Sequence, residues 1–338
     1  MPIAPDAPPF QDLTPHAVLD ALADVGLAGD GRLLQLNSYE NRVFQAPLDD
    51  GRVVVAKFYR PGRWSDEQIL EEHAFALELA AAEVPMVAPL TLEAAPGSTG
   101  ITCLGSPPTL AVRGSLRWAA APRRAGRAPE LDDPQTLEWI GRFIGRLHAV
   151  GGRQAFRTRR RIDPRSFGWA PREWLLSHGD LPEPERSRWA ALSEAALRLA
   201  EQHFDALPGL RALRLHGDCH PGNLLWTPEG PHFVDLDDCA TGPAVQDLWM
   251  LLPGDLAASG AAVASLLEGY EIFCDFDRRE LALVEPLRTL RMIHHSAWLA
   301  QRWSDPAFPA AFTWFGSAAY WSGECDQLAQ QVATMQLP

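Results

Sequence analysis

The chain is 338 residues long, enough to bury a sizeable core in two lobes or domains. Its 43 acidic against 30 basic residues leave a net charge of −13, which excludes a general affinity for nucleic acid or an anionic membrane surface. Five scattered cysteines without a CxxC pair exclude a disulfide framework and a four-cysteine zinc site. With no leader-like start and no apolar run of membrane-spanning length, a cytoplasmic monomer is expected.

After a proline-rich lead, Thr14-Pro15 reads as an N-cap and first helical position, opening a short helix through about Leu27. RLLQL (32–36), RVFQA (42–46) and RVVVAKFY (52–59), separated by short polar turns including Asp49-Asp50-Gly51, predict an antiparallel meander. On its third strand the two-residue period puts Val53, Val55 and Lys57 on one face. Ser65-Asp66-Glu67-Gln68 spells a capping box, and the helix it opens carries ILEEHAFALELAAAEV with apolar residues at three- and four-residue spacing.

Pro85, Pro89 and Pro96 then break the chain into further short strands. In the arginine-rich stretch 107–129, Leu-Ala-Val and Trp-Ala-Ala-Ala are candidate apolar strands. From Asp133-Pro134 onward helices dominate, at about 134–149, 183–206, 244–252, 257–274 and 279–302. Near the C-terminus, Trp298, Trp303, Phe308, Trp314, Phe315 and Trp321 are expected in a helical core. The basic stretch RQAFRTRRRIDPRSFGW (153–169) is expected as a solvated loop; its functional alternative is to receive an acidic substrate peptide or to organise a cleft mouth.

Lys57 is the only lysine, the other 29 basic residues being arginine. A compact ammonium on a thin stem enters a narrow slot and acts as a point charge on phosphate oxygens, which a broad guanidinium does not. Interrupting the helices is an island, LRLHGDCHPGNLLW followed by HFVDLDD, in which Asp218 and Asn223 lie in one loop and Asp235 in the next strand. A hairpin there would gather all three. Asn223 and Asp235 could then supply oxygens to magnesium while Asp218 acts on an incoming hydroxyl.

Two rival readings are a zinc cluster of His216, Asp218, Cys219 and His220, and turn residues that merely bond their own backbone. An early-strand lysine, a carboxylate on the next helix, and an Asp-x₄-Asn loop with a later Asp are the parts of phosphoryl transfer from ATP. Glu72 is expected to pair with Lys57, with Glu71 the alternative, because only one of two neighbours faces a given side of a helix.

HGDCHPGN (216–223) with VDLDD (234–238) resembles the catalytic motif of the aminoglycoside phosphotransferase and choline kinase-like family of the protein-kinase-like fold. LNSYENRVFQ (36–45), KFYRPGRW (57–64), QILEEHAFALEL (68–79), RLHGDCHPGNLLW (214–226), FVDLDDCATGPAVQDLWMLL (233–252), EPLRTLRM (285–292) and RWSDPAFP (302–309) resemble its bacterial stress response kinases. The resemblance runs through nearly the whole chain.

It implies an α+β, bilobal protein-kinase-like fold, with a small N-terminal antiparallel β-sheet lobe carrying one long helix and a larger, mainly helical C-terminal lobe. The implied layout is an N-terminal helical extension at 1–28, an N-lobe at 29–115 with its helix at 65–82, a hinge or linker at 116–132, and the C-lobe at 133–338. Asp218 is implied as catalytic base, Asp235 as catalytic and metal-binding, and Asn223 as the other Mg²⁺ ligand. Asn37, Ser38, Lys57 and Glu72 are implied to bind ATP, the co-substrate.

Asp247 is either the brace of the catalytic loop or a first-turn acid complementing a helix dipole. The implied acceptor is a protein serine or threonine; the alternatives are a small alcohol or amine, and a non-catalytic nucleotide sensor. LNSYENRV lacks a glycine triplet, so side-chain and backbone donors of Asn37 and Ser38 would cover the phosphates. Only seven residues separate Asp235 from Pro243, so no phosphorylated activation loop is expected.

Overall fold

The structure is a computed structural model that describes residues 9–254 and 258–336; the start of the proline-rich lead and position 257, where a helix was expected to open, lie outside the described residues. The chain divides into two compact units, Met1–Ala128 with Gly222–Asp237, and Pro129–Pro221 with Asp238–Pro338. It is an α+β protein.

In the first unit, Thr14 caps helix α1 (Pro15–Ala23) by accepting the Ala17 amide at 3.2 Å. Strands β1 (Leu34–Gln35), β2 (Arg42–Pro47) and β3 (Val53–Phe58) form the expected antiparallel meander. The capping box at Ser65 and Gln68 opens α2 (Asp66–Ala81). Three more strands, β4 (Thr102–Gly105), β5 (Pro108–Arg113) and β6 (Leu116–Pro122), complete a six-stranded sheet in the order β1-β2-β3-β6-β5-β4.

The alternation along β3 sends Val54, Ala56 and Phe58 into an apolar cluster with Val18, Ala21 and Leu22 of α1 and with Trp118 of β6. Phe58 stacks on Trp118 with centroids 5.9 Å apart. The opposite face of β3 carries Val53, Val55 and Lys57, as expected. Residues 116–122 open the stretch expected as a hinge or linker and contain the candidate strand Trp-Ala-Ala-Ala; they pair with both β3 and β5, Trp118 and Ala120 completing this core. Hairpin β8 (Leu224–Thr227) and β9 (Gly230–Phe233) joins the unit through Phe233, whose amide donates to the Pro85 carbonyl at 2.8 Å.

The second unit holds helices α3 (Pro134–Gly151), α4 (Ala170–His178), α5 (Glu185–Asp205), α6 (Gln246–Trp249), α7 (Gly260–Tyr270), α8 (Val284–Gln301), α9 (Ala307–Ala311) and α10 (Ala318–Met335), with a strand pair, β7 (Leu213–Leu215) and β10 (Ala240–Gly242). Helices α3 and α7 approach backbone to backbone. A Cβ added at Gly141 would overlap the Leu266 carbonyl, and one at Gly269 the Glu138 carbonyl.

The stretch 153–169 is the expected solvated loop only at its start, where residues 153–158 are mostly exposed. Arg159 is buried and donates to the Cys239 carbonyl at 3.1 Å, Arg160 reaches Asp238 at 3.2 Å, and the Arg160 carbonyl accepts the Thr241 amide at 2.8 Å. Unpaired backbone groups beside β10 thus draw the segment in. Of the expected core aromatics, Phe308, Phe315 and Trp321 are buried, whereas Trp314 is 47% exposed.

Helices α5, α8 and α10 share a core in which Trp189 and Trp321 pack edge to face. At its border the buried Glu324 carboxylate accepts the Ser296 hydroxyl at 3.0 Å. Burial pushes this carboxyl from 4.5 up to about 7, the Ser296 bond offsetting part of the rise. The folded chain therefore holds this proton more tightly than the unfolded chain, a stabilisation present below pH 4.5 and lost as pH rises to 7, worth about 3 kcal/mol. Glu324→Gln should flatten the pH dependence of urea midpoints between pH 4.5 and 8 and exceed wild type at pH 8; an unchanged profile would refute this account.

Candidate active site

In the first unit the ammonium of Lys57 lies 3.0 Å from Glu72, 3.4 Å from Asp237 and 3.6 Å from Asp235, with the Tyr59 ring 4.8 Å away. Burial alone would lower its pKa, but Glu72, Tyr59, Asp237 and Asp235 more than reverse this and raise it well above the ordinary lysine value. Glu72, rather than Glu71, is the α2 residue that meets Lys57. Next to it, buried His73 is hydrogen-bonded to the Tyr59 hydroxyl at 2.7 Å and to Thr109 at 2.9 Å, which fixes the rotation of α2 against β3 and β5.

Asp237 was not singled out from the sequence, yet it is 3% exposed and accepts from Asn41 Nδ2 at 3.1 Å, from Lys57 and from Arg63. Asn41 in turn accepts the Arg60 amide at 3.0 Å. These bonds tie down the turn between β1 and β2 that carries Asn37, which is exposed, and Ser38, which is half-buried. Asp235 was expected in a strand, but β9 ends at Phe233, and the left-handed Asp235 followed by a 3-10 turn over Leu236–Asp238 is what carries Asp237 to this cluster. Arg63 is one arginine among 29, and nothing in its sequence neighbourhood marks it.

Asp235 has φ of +61°, a left-handed conformation costly for a side-chain-bearing residue, and its side chain is 55% exposed. The Val234 amide donates to the Asn223 carbonyl at 3.1 Å, coupling the segments that carry Asn223 and Asp235. Thus Lys57, Glu72, Asn223 and Asp235 all lie in the first unit. Asp218 belongs to the second.

There, β7 and β10 hold the loop His216-Gly217-Asp218. Gly217 has φ of +85°, and a Cβ on it would overlap the Asp238 carbonyl, so both the turn and the close approach require glycine. The fully buried Asp247 accepts the His216 amide at 2.7 Å and the Gly217 amide at 2.8 Å. It is also hydrogen-bonded to His148 Nε2 at 3.0 Å, and His148 Nδ1 meets the Tyr270 hydroxyl at 2.9 Å. The Gly217 carbonyl accepts Gln246 Nε2 at 2.9 Å.

This leaves the Asp218 side chain 25% exposed, 2.5 Å from Arg291 Nη1 and 3.4 Å from His220 Nε2. Burial alone would raise its pKa; His220 and Arg291 more than compensate and hold it well below the usual carboxylate range. Arg291, on α8, was likewise not singled out from the sequence. His216 and Cys219 are buried, and His216 serves the loop through its backbone.

Asp247→Ala would leave two buried amides and His148 without their acceptor, at a cost of about 3 kcal/mol or more. The expected result is a lower denaturation midpoint together with faster hydrogen exchange at His216 and Gly217; Asp247→Asn, which keeps one oxygen, should lose less. Unaltered exchange at these two amides in Asp247→Ala would remove the bracing role.

The profile of the phosphotransferase enzyme family (APH) matches residues 32–284. Stress response kinase A of Escherichia coli (strain K12) is 40% identical over 329 residues, 97% of this chain and 95% of that protein. The serine/threonine protein kinase RdoA of Salmonella typhimurium (strain LT2) matches to the same extent, 40% over 97% of this chain and 95% of its own. Among solved structures, amicoumacin kinase hAmiN in complex with AMP-PNP, Ca²⁺ and Ami aligns with a TM-score of 0.69 over 95% of this chain and 93% of that one, at 18% identity, which shows a shared fold. No helix among the described residues is long and apolar enough to cross a membrane. With the profile spanning most of its length and kinase relatives along nearly all of it, the chain belongs to the phosphotransferase enzyme family.

Proposed function

We propose that this enzyme transfers the γ-phosphoryl group of ATP to a serine or threonine hydroxyl of a protein. The observation that carries this reading is the Lys57–Glu72 pair with its ammonium 3.6 Å from Asp235, a partly buried cation held by a helix carboxylate beside an exposed acid. The protein acceptor is supported by the 40% identity to a relative named as a serine/threonine protein kinase.

Lys57 would hold the nucleotide phosphates, with Glu72 keeping its ammonium in place. Asn37 and Ser38 would supply donors over the phosphates from the turn that Asn41 anchors to Asp237. Asp218 would orient the acceptor hydroxyl and take its proton as the oxygen bonds to the γ-phosphorus and the bond to ADP breaks.

The donor chemistry fits magnesium. Lys57, Arg60 and Arg63 face Glu40, Glu72, Asp235 and Asp237, an excess of one negative charge, and Asp235 is the most exposed of the four acids. Hard oxygen ligands such as the Asp235 carboxylate and the Asn223 amide suit that ion, with phosphate and water completing its shell. Bound there, magnesium would neutralise charge on the transferred phosphoryl group.

Asp218→Asn should lower phosphate transfer from labelled ATP by roughly 10²–10⁴-fold while nucleotide binding persists. Lys57→Met should weaken nucleotide binding and transfer together. Undiminished transfer in Asp218→Asn would remove Asp218 from the reaction, and nucleotide binding without any transfer by the wild-type chain would instead favour a nucleotide sensor without catalytic activity.

A further inference from the structure

Arginines recur on and beside the helix that reaches Asp218, in a chain of net charge −13. Besides Arg291 and His220 on Asp218 itself, His294 stacks on Phe167 at 4.4 Å and lies 3.3 Å from Arg160, which reaches Asp238 at 3.2 Å. Further along α8, Trp298 stacks with His295 at 5.7 Å and carries the Arg302 guanidinium 5.5 Å from its ring. Positions 291, 294, 295, 298 and 302 follow the three- and four-residue spacing that shares one helix face. From 291 to 302 that face extends roughly 16 Å, longer than a small alcohol. A cationic acceptor such as an amino sugar or choline would meet the like charge of Arg291 and Arg302 there.

Arg291 sets a condition on the reaction. Asp218 has to receive a hydroxyl, yet its Oδ1 is already engaged by a guanidinium at 2.5 Å. A guanidinium forks onto a substrate carboxylate or phosphate as readily as onto an aspartate, and the Arg291 side chain is 44% exposed and accessible to such a group.

We propose that Arg291 determines acceptor specificity, and that the acceptor is a protein segment with an acidic side chain close to the phosphorylated serine or threonine. The substrate's acid takes over the Arg291 guanidinium and thereby releases Asp218 for the hydroxyl. An acidic acceptor exchanges one ion pair for another, whereas a neutral one must break the Arg291–Asp218 pair without replacement. This inference rests on the phosphotransfer reading above.

The test uses peptides on one scaffold in which the residues flanking a single serine are Asp, Asn or Lys. They are offered with labelled ATP to the wild-type chain, Arg291→Gln and Arg291→Glu, and their binding without nucleotide is followed by fluorescence anisotropy. In wild type, kcat/KM for the Asp peptide should exceed that for the Asn peptide by about tenfold, the order expected for one charge-assisted hydrogen bond. The ratio should fall towards unity in Arg291→Gln, whatever the absolute rate, and turn in favour of the Lys peptide in Arg291→Glu, with binding following the same order. No acid preference in wild type, or a preference that survives both substitutions, overturns the proposal. If no peptide is phosphorylated, the phosphotransfer reading fails, and the anisotropy ratios still decide the role of Arg291.

Discussion

A lone ammonium taken out of water needs carboxylates around it, and in the first unit Lys57 has Glu72, Asp235 and Asp237 within 3.6 Å. Each acid comes from a different requirement of the fold. Glu72 arrives because the capping box at Ser65 sets where α2 begins and His73 sets how it is turned. Asp237 also gathers Arg63 and Asn41, so the charge that steadies the lysine steadies the β1–β2 turn as well.

The second unit solves a different problem, how to expose one carboxylate on a loop with fixed geometry. Asp247 does so through backbone amides, and Gln246 through the opposing carbonyl, leaving the Asp218 side chain available to Arg291 and His220. Because the bracing passes through main-chain groups, it makes no use of the Asp218 carboxylate.

Much of this was legible in the residues themselves. Lys57 stood out as one lysine against 29 arginines, the capping box located α2, and helix geometry allowed only one of Glu71 and Glu72 to face the sheet. What stayed hidden depends on partners distant in sequence. Asp237 lies 196 positions from Asn41, and Arg291 lies 73 from Asp218, so no local pattern marks either pair. The strand at 116–122 was obscured by its flanking arginines, and the placement of Arg159 and Arg160 by the basic composition around them, since backbone pairing beside β10 outweighs the hydrophilicity of the side chains.

The surroundings of Lys57 also bear on acidity and alkalinity. With its pKa raised well above the ordinary lysine value by the surrounding acids, the ammonium keeps its proton throughout the neutral range. In the proposed reaction Lys57 would therefore contribute the same charge across the neutral range, and any response of turnover to the proton concentration there would originate in other residues.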